Sequence, residues 1–69
     1  MKKMYEVAQR YEDGHIVRGG IKTSMATALK WAKHNIELCP DEDYIVVEAD
    51  ENAITWREYL AECKAYAEG

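Results

Sequence analysis

Two alternating segments, residues 3–11 and 15–22, constrain this chain most, because together they predict a β-hairpin with a defined register. Each segment alternates apolar and polar side chains with a period of two, which is typical of strands. They flank Glu12-Asp13-Gly14, a turn sequence. A three-residue loop pairs Gln9 with Val17 and keeps the apolar side chains of both strands on one face, whereas a two-residue turn would not. We therefore predict the three-residue loop.

The same register pairs Tyr11 with His15 and Tyr5 with Ile21. Gly19-Gly20 interrupts the second strand. A pair of glycines inside a strand predicts either a bulge or a close approach of a helix. It is not a phosphate-binding loop, since no third glycine and no Lys-Ser/Thr follows it.

Two helices are predicted from capping residues and apolar periodicity. Ser24 is an N-cap for a helix that begins at Met25 and ends at His34-Asn35. Thr55 and Glu58 fit a capping box at the start of the second helix. That helix carries an apolar stripe wide enough to cover a sheet. The stripe consists of Trp56, Tyr59, Leu60, Cys63 and Ala67.

A third strand over residues 44–49 completes the order ββαβα and predicts an α+β fold in a single domain, residues 1–69. We expect a three-stranded antiparallel sheet with the third strand beside the first and both helices packed on one face. The third strand is then an edge, although Tyr44-Ile45-Val46-Val47 is apolar on both faces. A long apolar edge invites pairing with another chain.

The charges are unevenly distributed along the chain. Residues 1–34 carry seven lysines and arginines against three acids, whereas residues 35–69 carry two against ten, so +4 and −8 make up the net charge of −4. Such asymmetry bears on association rather than on fold. The chain has no apolar run near the ~20 residues of a membrane helix, and no signal-peptide core follows Lys2-Lys3, so a cytoplasmic protein that does not enter membranes is expected.

No motif for catalysis, metal or cofactor binding is found. The possible metal ligands His15, His34, Cys39 and Cys63 lack the paired spacing of zinc sites, and Cys63 reads instead as a core residue. The acids at 41–43 lack the pattern of a calcium loop. Cys39 as a nucleophile would sit among acids that disfavour its thiolate. We expect no enzymatic activity, no cofactor and no metal.

The best functional candidate is the acidic stretch 37–51, in which carboxylates along a strand and its flanking loops could imitate a phosphate track. They would dock on a basic protein surface of a nucleic-acid-binding complex. Trp31, off the main helical stripe, is an expected exposed anchor. The predicted partner-binding residues are Trp31, Glu37, Asp41, Glu42, Asp43, Tyr44, Glu48, Asp50 and Glu51.

In general character the chain resembles the small acidic proteins of phages and mobile elements, including the anti-CRISPR type. Its short length, the hairpin from Tyr5 to Ile21 followed by the Ser24 helix, and the acid cluster carry this resemblance. It implies a stoichiometric inhibitor that binds a host defence complex and masks a nucleic-acid or subunit surface. No residue roles are carried over.

Two alternatives remain open. The chain could be a structural homodimer that pairs through strand 44–49, or through the basic half of one copy and the acidic half of another. It could also bind nucleic acid weakly through Arg10, Arg18 and Lys22 on the outward face of the hairpin, with Glu6 between them. The tyrosines of the first strand point to the opposite side, so direct nucleic-acid binding is not expected.

Overall fold

The computed structural model describes the backbone of residues 3–68 and the side chains of residues 3–67. Its strands are β1 (Tyr5–Arg10), β2 (Ile16–Arg18), β3 (Ile21–Lys22), β4 (Asp43–Glu48) and β5 (Ile54–Thr55). Its helices are α1 (Met25–Leu38) and α2 (Trp56–Glu68). The predicted α+β class is confirmed, with the second predicted strand divided into β2 and β3.

The main sheet has three antiparallel strands in the order β2-β1-β4. Gln9 of β1 lies opposite Val17 on one side and opposite Tyr44 on the other. The predicted register of the hairpin and the predicted neighbour of the first strand are therefore confirmed. Within residues 3–68, β4 pairs with β1 alone, so its other edge is open.

The hairpin loop has the predicted three-residue form. The Gly14 amide donates to the Tyr11 carbonyl oxygen and the Tyr11 amide donates to the His15 carbonyl oxygen, both at 2.9 Å. Gly14 has a φ of 92°, a left-handed conformation that costs glycine little because it has no Cβ.

A bulge at Gly19-Gly20 divides the second strand. The Gly19 amide still donates to the Val7 carbonyl oxygen at 2.8 Å, and Gly20 then adopts a φ of 84°. Beyond the bulge Tyr5 lies opposite Thr23, so the predicted pairing of Tyr5 with Ile21 is wrong by two residues. The two inserted residues turn the chain out of the main sheet.

The redirected strand forms a second, smaller sheet. β3 pairs in parallel with β5, with Ile21 opposite Ile54. The Ile54 amide also donates to the Gly20 carbonyl oxygen at 2.9 Å. This small sheet therefore fixes the point at which α2 leaves the rest of the chain.

Helix α1 begins as predicted and ends later than predicted. The Ser24 hydroxyl oxygen accepts from the Thr27 amide at 3.3 Å, which caps the helix. Asn35 does not become a left-handed C′ residue. It remains helical, and its carbonyl oxygen accepts from the Cys39 amide at 2.8 Å. The helix thus continues through Leu38, one turn beyond the predicted end.

The buried apolar side chains are small. Among residues 3–67, the buried apolar residues are all alanines, namely Ala8, Ala28, Ala32 and Ala53. Alanines at 28 and 32 let α1 lie close to the sheet, but each removes little apolar area from water. The larger apolar side chains of the sheet are only half-buried or exposed.

Among residues 3–67, Glu6 is the one charged residue that is buried, with 0% of its surface exposed. The sequence places it on the outward face of the hairpin, and that expectation is wrong. Its carboxylate accepts from Arg18 Nη1 at 3.1 Å, from the Gly20 amide at 2.9 Å and from the Asp50 amide at 2.7 Å. These bonds satisfy the buried charge and join β1 to the bulge and to the loop after β4.

No helix within residues 3–68 has both the length and the apolar character needed to cross a bilayer.

Candidate protein-binding surfaces

Helix α2 has the predicted start but not the predicted packing. The Glu58 amide donates to Thr55 Oγ1 at 3.1 Å and the Thr55 amide donates to Glu58 Oε2 at 3.3 Å, so the capping box is confirmed. Every side chain of residues 56–67 is nevertheless exposed. The predicted covering of a sheet by this helix is therefore wrong: α2 contacts β3 and β5 of the small sheet, and its first residue, Trp56, contacts Trp31 of α1.

We call the residues Trp56, Tyr59, Leu60, Cys63 and Ala67 the α2 stripe. The exposed fraction is 48% for both Trp56 and Leu60. Cys63, which was predicted to be a core residue, is also exposed and is a free thiol. A hydrogen bond to the Cys63 side chain raises the pKa of Tyr59. The stripe is thus an ordered row of apolar and aromatic side chains with no protein layer over it.

An open cleft of about 460 Å³ lies between the main sheet and the helices. We call it the aromatic cleft; its larger apolar side chains are those of Val7, Val17, Ile21, Trp31, Tyr44 and Trp56. The side chain of Val17 is 52% exposed. Sequence periodicity did not indicate this cleft, because it predicted that α2 packs on the sheet and leaves no open space there.

Two predicted binding residues, Trp31 and Tyr44, belong to the cleft rather than to the outer surface. Trp31 is half-buried and its ring centroid lies 5.4 Å from that of Trp56, so it is not a free anchor. Burial raises the pKa of Tyr44, and the neighbouring Cys39 and Glu42 act in the same direction. Both aromatic side chains are available only to a group that enters the cleft.

The predicted acidic stretch is divided between the two ends of β4. Asp41, Glu42 and Asp43 lie at its start, whereas Glu48, Asp50 and Glu51 lie at its end. At ~3.3 Å per residue the two groups are about 17 Å apart. Glu37 is exposed in the last turn of α1. The structure therefore does not form one continuous track of carboxylates.

The group at the start of β4 gains two acids that the sequence analysis missed. Because β1 and β4 are antiparallel, the hairpin loop returns to this end and brings Glu12 and Asp13 with it. The strand order, once predicted, was a sufficient signal for this meeting. We call Glu12, Asp13, Asp41, Glu42 and Asp43 the acidic end.

Some carboxylates of the acidic end have hydrogen-bond or ion-pair partners within the chain. Arg10 Nε donates to Asp43 Oδ2 at 2.7 Å, and Gln9 donates to the Glu42 carboxylate. The His15 amide donates to Asp13 Oδ1 at 3.1 Å, and this bond, followed by one from the His15 ring, lowers the pKa of Asp13. Asp13 thus stays ionised to lower pH than an ordinary aspartate.

The outward face of the hairpin does not present a free basic surface. Arg10 is paired with Asp43, and Arg18 donates both to Glu6 and to the Glu48 carbonyl oxygen, the latter at 2.9 Å. Lys22 is half-buried in β3. Two of these three cations therefore have partners within the chain, which does not favour binding of a nucleic-acid backbone to this face.

The candidate metal ligands of the sequence do not converge. No group of three or more histidine, cysteine or acidic side chains within the described part of the chain has the geometry to hold a metal ion. His15 stacks on Tyr11 at the hairpin loop, with ring centroids 4.6 Å apart, whereas His34 lies at the cleft. Cys39 and Cys63 are free and exposed.

No protein-family model matches this sequence, and no curated protein and no solved structure is similar to it.

Proposed function

We propose that this chain is a protein-binding module rather than an enzyme, and that its principal contact surface is the α2 stripe. The observation that carries the proposal is the exposure of every side chain in residues 56–67 of a helix with an apolar face. An isolated helix of about 13 residues is marginal in water, and packing of an apolar face normally supplies its stability. A protein partner would supply that packing.

The stripe has the composition of a binding surface. Tryptophan and tyrosine are enriched where interfaces concentrate their binding energy. Trp56 and Tyr59 stack with ring centroids 5.4 Å apart, so they form a preordered pair rather than two mobile side chains. Preordering lowers the entropy that binding must overcome.

A pair of single substitutions tests the proposal. Leu60→Glu places a charge in the stripe, whereas Ala65→Glu places the same charge on the opposite face of α2. The partner in this test is a protein that co-purifies with the natural chain in a fixed ratio and forms the same complex again when the two purified proteins are mixed. We expect Leu60→Glu to abolish binding of this partner. The second variant should keep that partner. Equal binding by both variants, to a second copy or to any other protein, would contradict the proposal.

The acidic end supports a second candidate function, that of an inhibitor docking on the basic channel of a nucleic-acid-binding complex. Five carboxylates meet there from two parts of the chain, against Arg10 and His15. Long-range attraction by such an end would speed encounter with a basic protein and would weaken with salt. This is the part of the predicted binding stretch that remains clustered.

The two ends of β4 provide a matched control for this second candidate. Asp41→Lys with Glu42→Lys changes the net charge as much as Asp50→Lys with Glu51→Lys does. Only the first pair should abolish salt-sensitive retention of nucleic-acid-binding proteins on the immobilised chain. The same loss in both pairs would show a response to net charge alone and would rule out docking through the acidic end.

A further inference from the structure

We infer that the partner is a second copy of this chain, placed so that the α2 stripe of each copy covers the aromatic cleft of the other. This rests on the proposed function, because it assigns an occupant to the same surface. Each copy has an apolar helix face without a protein layer and an apolar cleft without an occupant. A twofold axis would satisfy both features at once, in both copies.

The surface area of the chain supports an association of this size. The accessible surface is 5550 Å² for a chain of 8.0 kDa. A compact monomer of this mass exposes about 4,450 Å². The excess of about 1,100 Å² exceeds the roughly 800 Å² per partner that a stable interface buries. The chain therefore carries enough additional surface for one interface.

The dimensions agree with the area. The radius of gyration is 13.0 Å, whereas a compact domain of this length has about 11 Å. The extents of 37 × 32 × 21 Å describe a flattened molecule. Covering the projecting helix with a second copy would restore an ordinary ratio of surface to volume.

The stripe and the cleft form one continuous surface, which is what a twofold interface requires. Trp56 is the first residue of the stripe and also lines the cleft, where it contacts Trp31. Tyr59 continues the row from Trp56. An interface about a twofold axis uses the same patch on both copies, so a projecting part and a hollow part side by side can complete each other.

The charges favour this surface over the open edge of β4. Arg57 and Lys64 offset two of the three glutamates of α2, which are Glu58, Glu62 and Glu68, so the helix has a net charge of only −1 and two copies repel each other weakly there. Antiparallel pairing of two β4 strands about their centre would instead place Asp43, which pairs with Arg10, opposite Glu48 of the second copy, whose partner Lys3 lies at the longer distance of 3.9 Å. Like charges directly opposite one another destabilise a strand pair.

The first experiment measures mass against concentration. Sedimentation equilibrium from 1 to 100 µM should give a mass approaching twice 8.0 kDa for the natural chain and for Ala65→Glu. Leu60→Glu should remain at 8.0 kDa, with an unchanged sheet signal in circular dichroism. A natural chain that remains monomeric at 100 µM would overturn the inference.

The second experiment distinguishes the arrangement within the dimer. In a Cys39→Ser background, Val17→Cys introduces a thiol into the cleft while Cys63 remains in the stripe. Mild oxidation should join the introduced cysteine of one copy to Cys63 of the other, identified by mass spectrometry of the linked peptides. A link between two Cys63 residues in place of this one would overturn the exchange of stripe and cleft.

The failure of this inference differs from the failure of the proposed function. Suppose that the chain is monomeric and that it binds a different purified protein, with binding lost in Leu60→Glu. This result would overturn the second copy as the partner and would support the proposed function. A monomeric chain with no partner that responds to this substitution would overturn both.

Discussion

Glu6 and Arg18 form a one-sided ion pair, in which the carboxylate is fully buried and the arginine side chain remains 41% exposed. Arg18 Nη1 lies 3.1 Å from Glu6 Oε2 and also binds the Glu48 carbonyl oxygen. The guanidinium therefore reaches from solvent to a charge inside the fold. Breaking a buried pair costs more than an exposed pair contributes, because one charge is left without its partner.

Glu6→Gln tests this relationship. The amide preserves the shape of the side chain but replaces one acceptor oxygen with a donor, which would face Arg18 or a backbone amide. We expect a loss of about 2–3 kcal/mol in the free energy of unfolding, as for hydrogen bonds to charged groups. Urea denaturation measures it, with Glu12→Gln at an exposed position as the control. Equal midpoints for the two variants would contradict a central role for Glu6.

Gly19→Ala should destabilise the hairpin through contact rather than through backbone strain. A Cβ at position 19 would lie 2.8 Å from the Val7 carbonyl oxygen, which belongs to the backbone and cannot move aside alone. Overpacking of this kind costs about 1–3 kcal/mol. Thermal unfolding should show the loss. Gly14→Asn is the control, since nothing lies within 4 Å of a Cβ there and asparagine tolerates a positive φ.

The two helix caps should fail in different ways. Thr55→Ala removes a cap from α2, which has little other packing, so we expect the first turn of that helix to lose helicity in circular dichroism at low protein concentration. Ser24→Ala removes a cap from α1, which packs on the sheet, and should lower global stability by about 1 kcal/mol with little loss of helicity. Unchanged helicity in the Thr55→Ala variant would show that α2 is packed after all.

The carboxyl group of Asp13 should remain ionised unusually far into acid. Its folded pKa is lowered, so its contribution to stability is present above the unfolded pKa and is lost as the pH falls through the folded pKa. His15→Ala removes the ring bond but keeps the backbone bond, which is the larger cause. We expect the pKa of Asp13 to rise only part of the way toward its ordinary value, measured by carbon-detected NMR titration. A complete return would show that the ring dominates.

Local sequence signals predicted local structure well. The loop at Gly14, the cap at Ser24 and the capping box of Thr55 and Glu58 all depend on neighbours within a few residues, and all are present. The sheet order also followed from alternation and from the helix between the strands. These features could be predicted because short-range hydrogen bonding and side-chain periodicity determine them.

Features that depend on distant contacts were not predictable from the pattern. The buried state of Glu6 depends on an amide 44 residues away, at Asp50, which no local window contains. The apolar periodicity of α2 predicted a face packed on the sheet, and this was wrong, because periodicity shows that a helix face is apolar but not what covers it.

The bond between Glu6 and Asp50 also bears on how this chain reaches its fold. β1 pairs with β4 across a separation of more than thirty residues, so the three-stranded sheet is complete only when the later strand joins the hairpin. A fragment ending before Asp50 would contain the hairpin residues but would lack one of the three donors to the buried Glu6 carboxylate. Folding of the sheet should therefore be cooperative, and slow for a chain of this length, since the chain loses loop-closure entropy before the contacts between distant strands stabilise it.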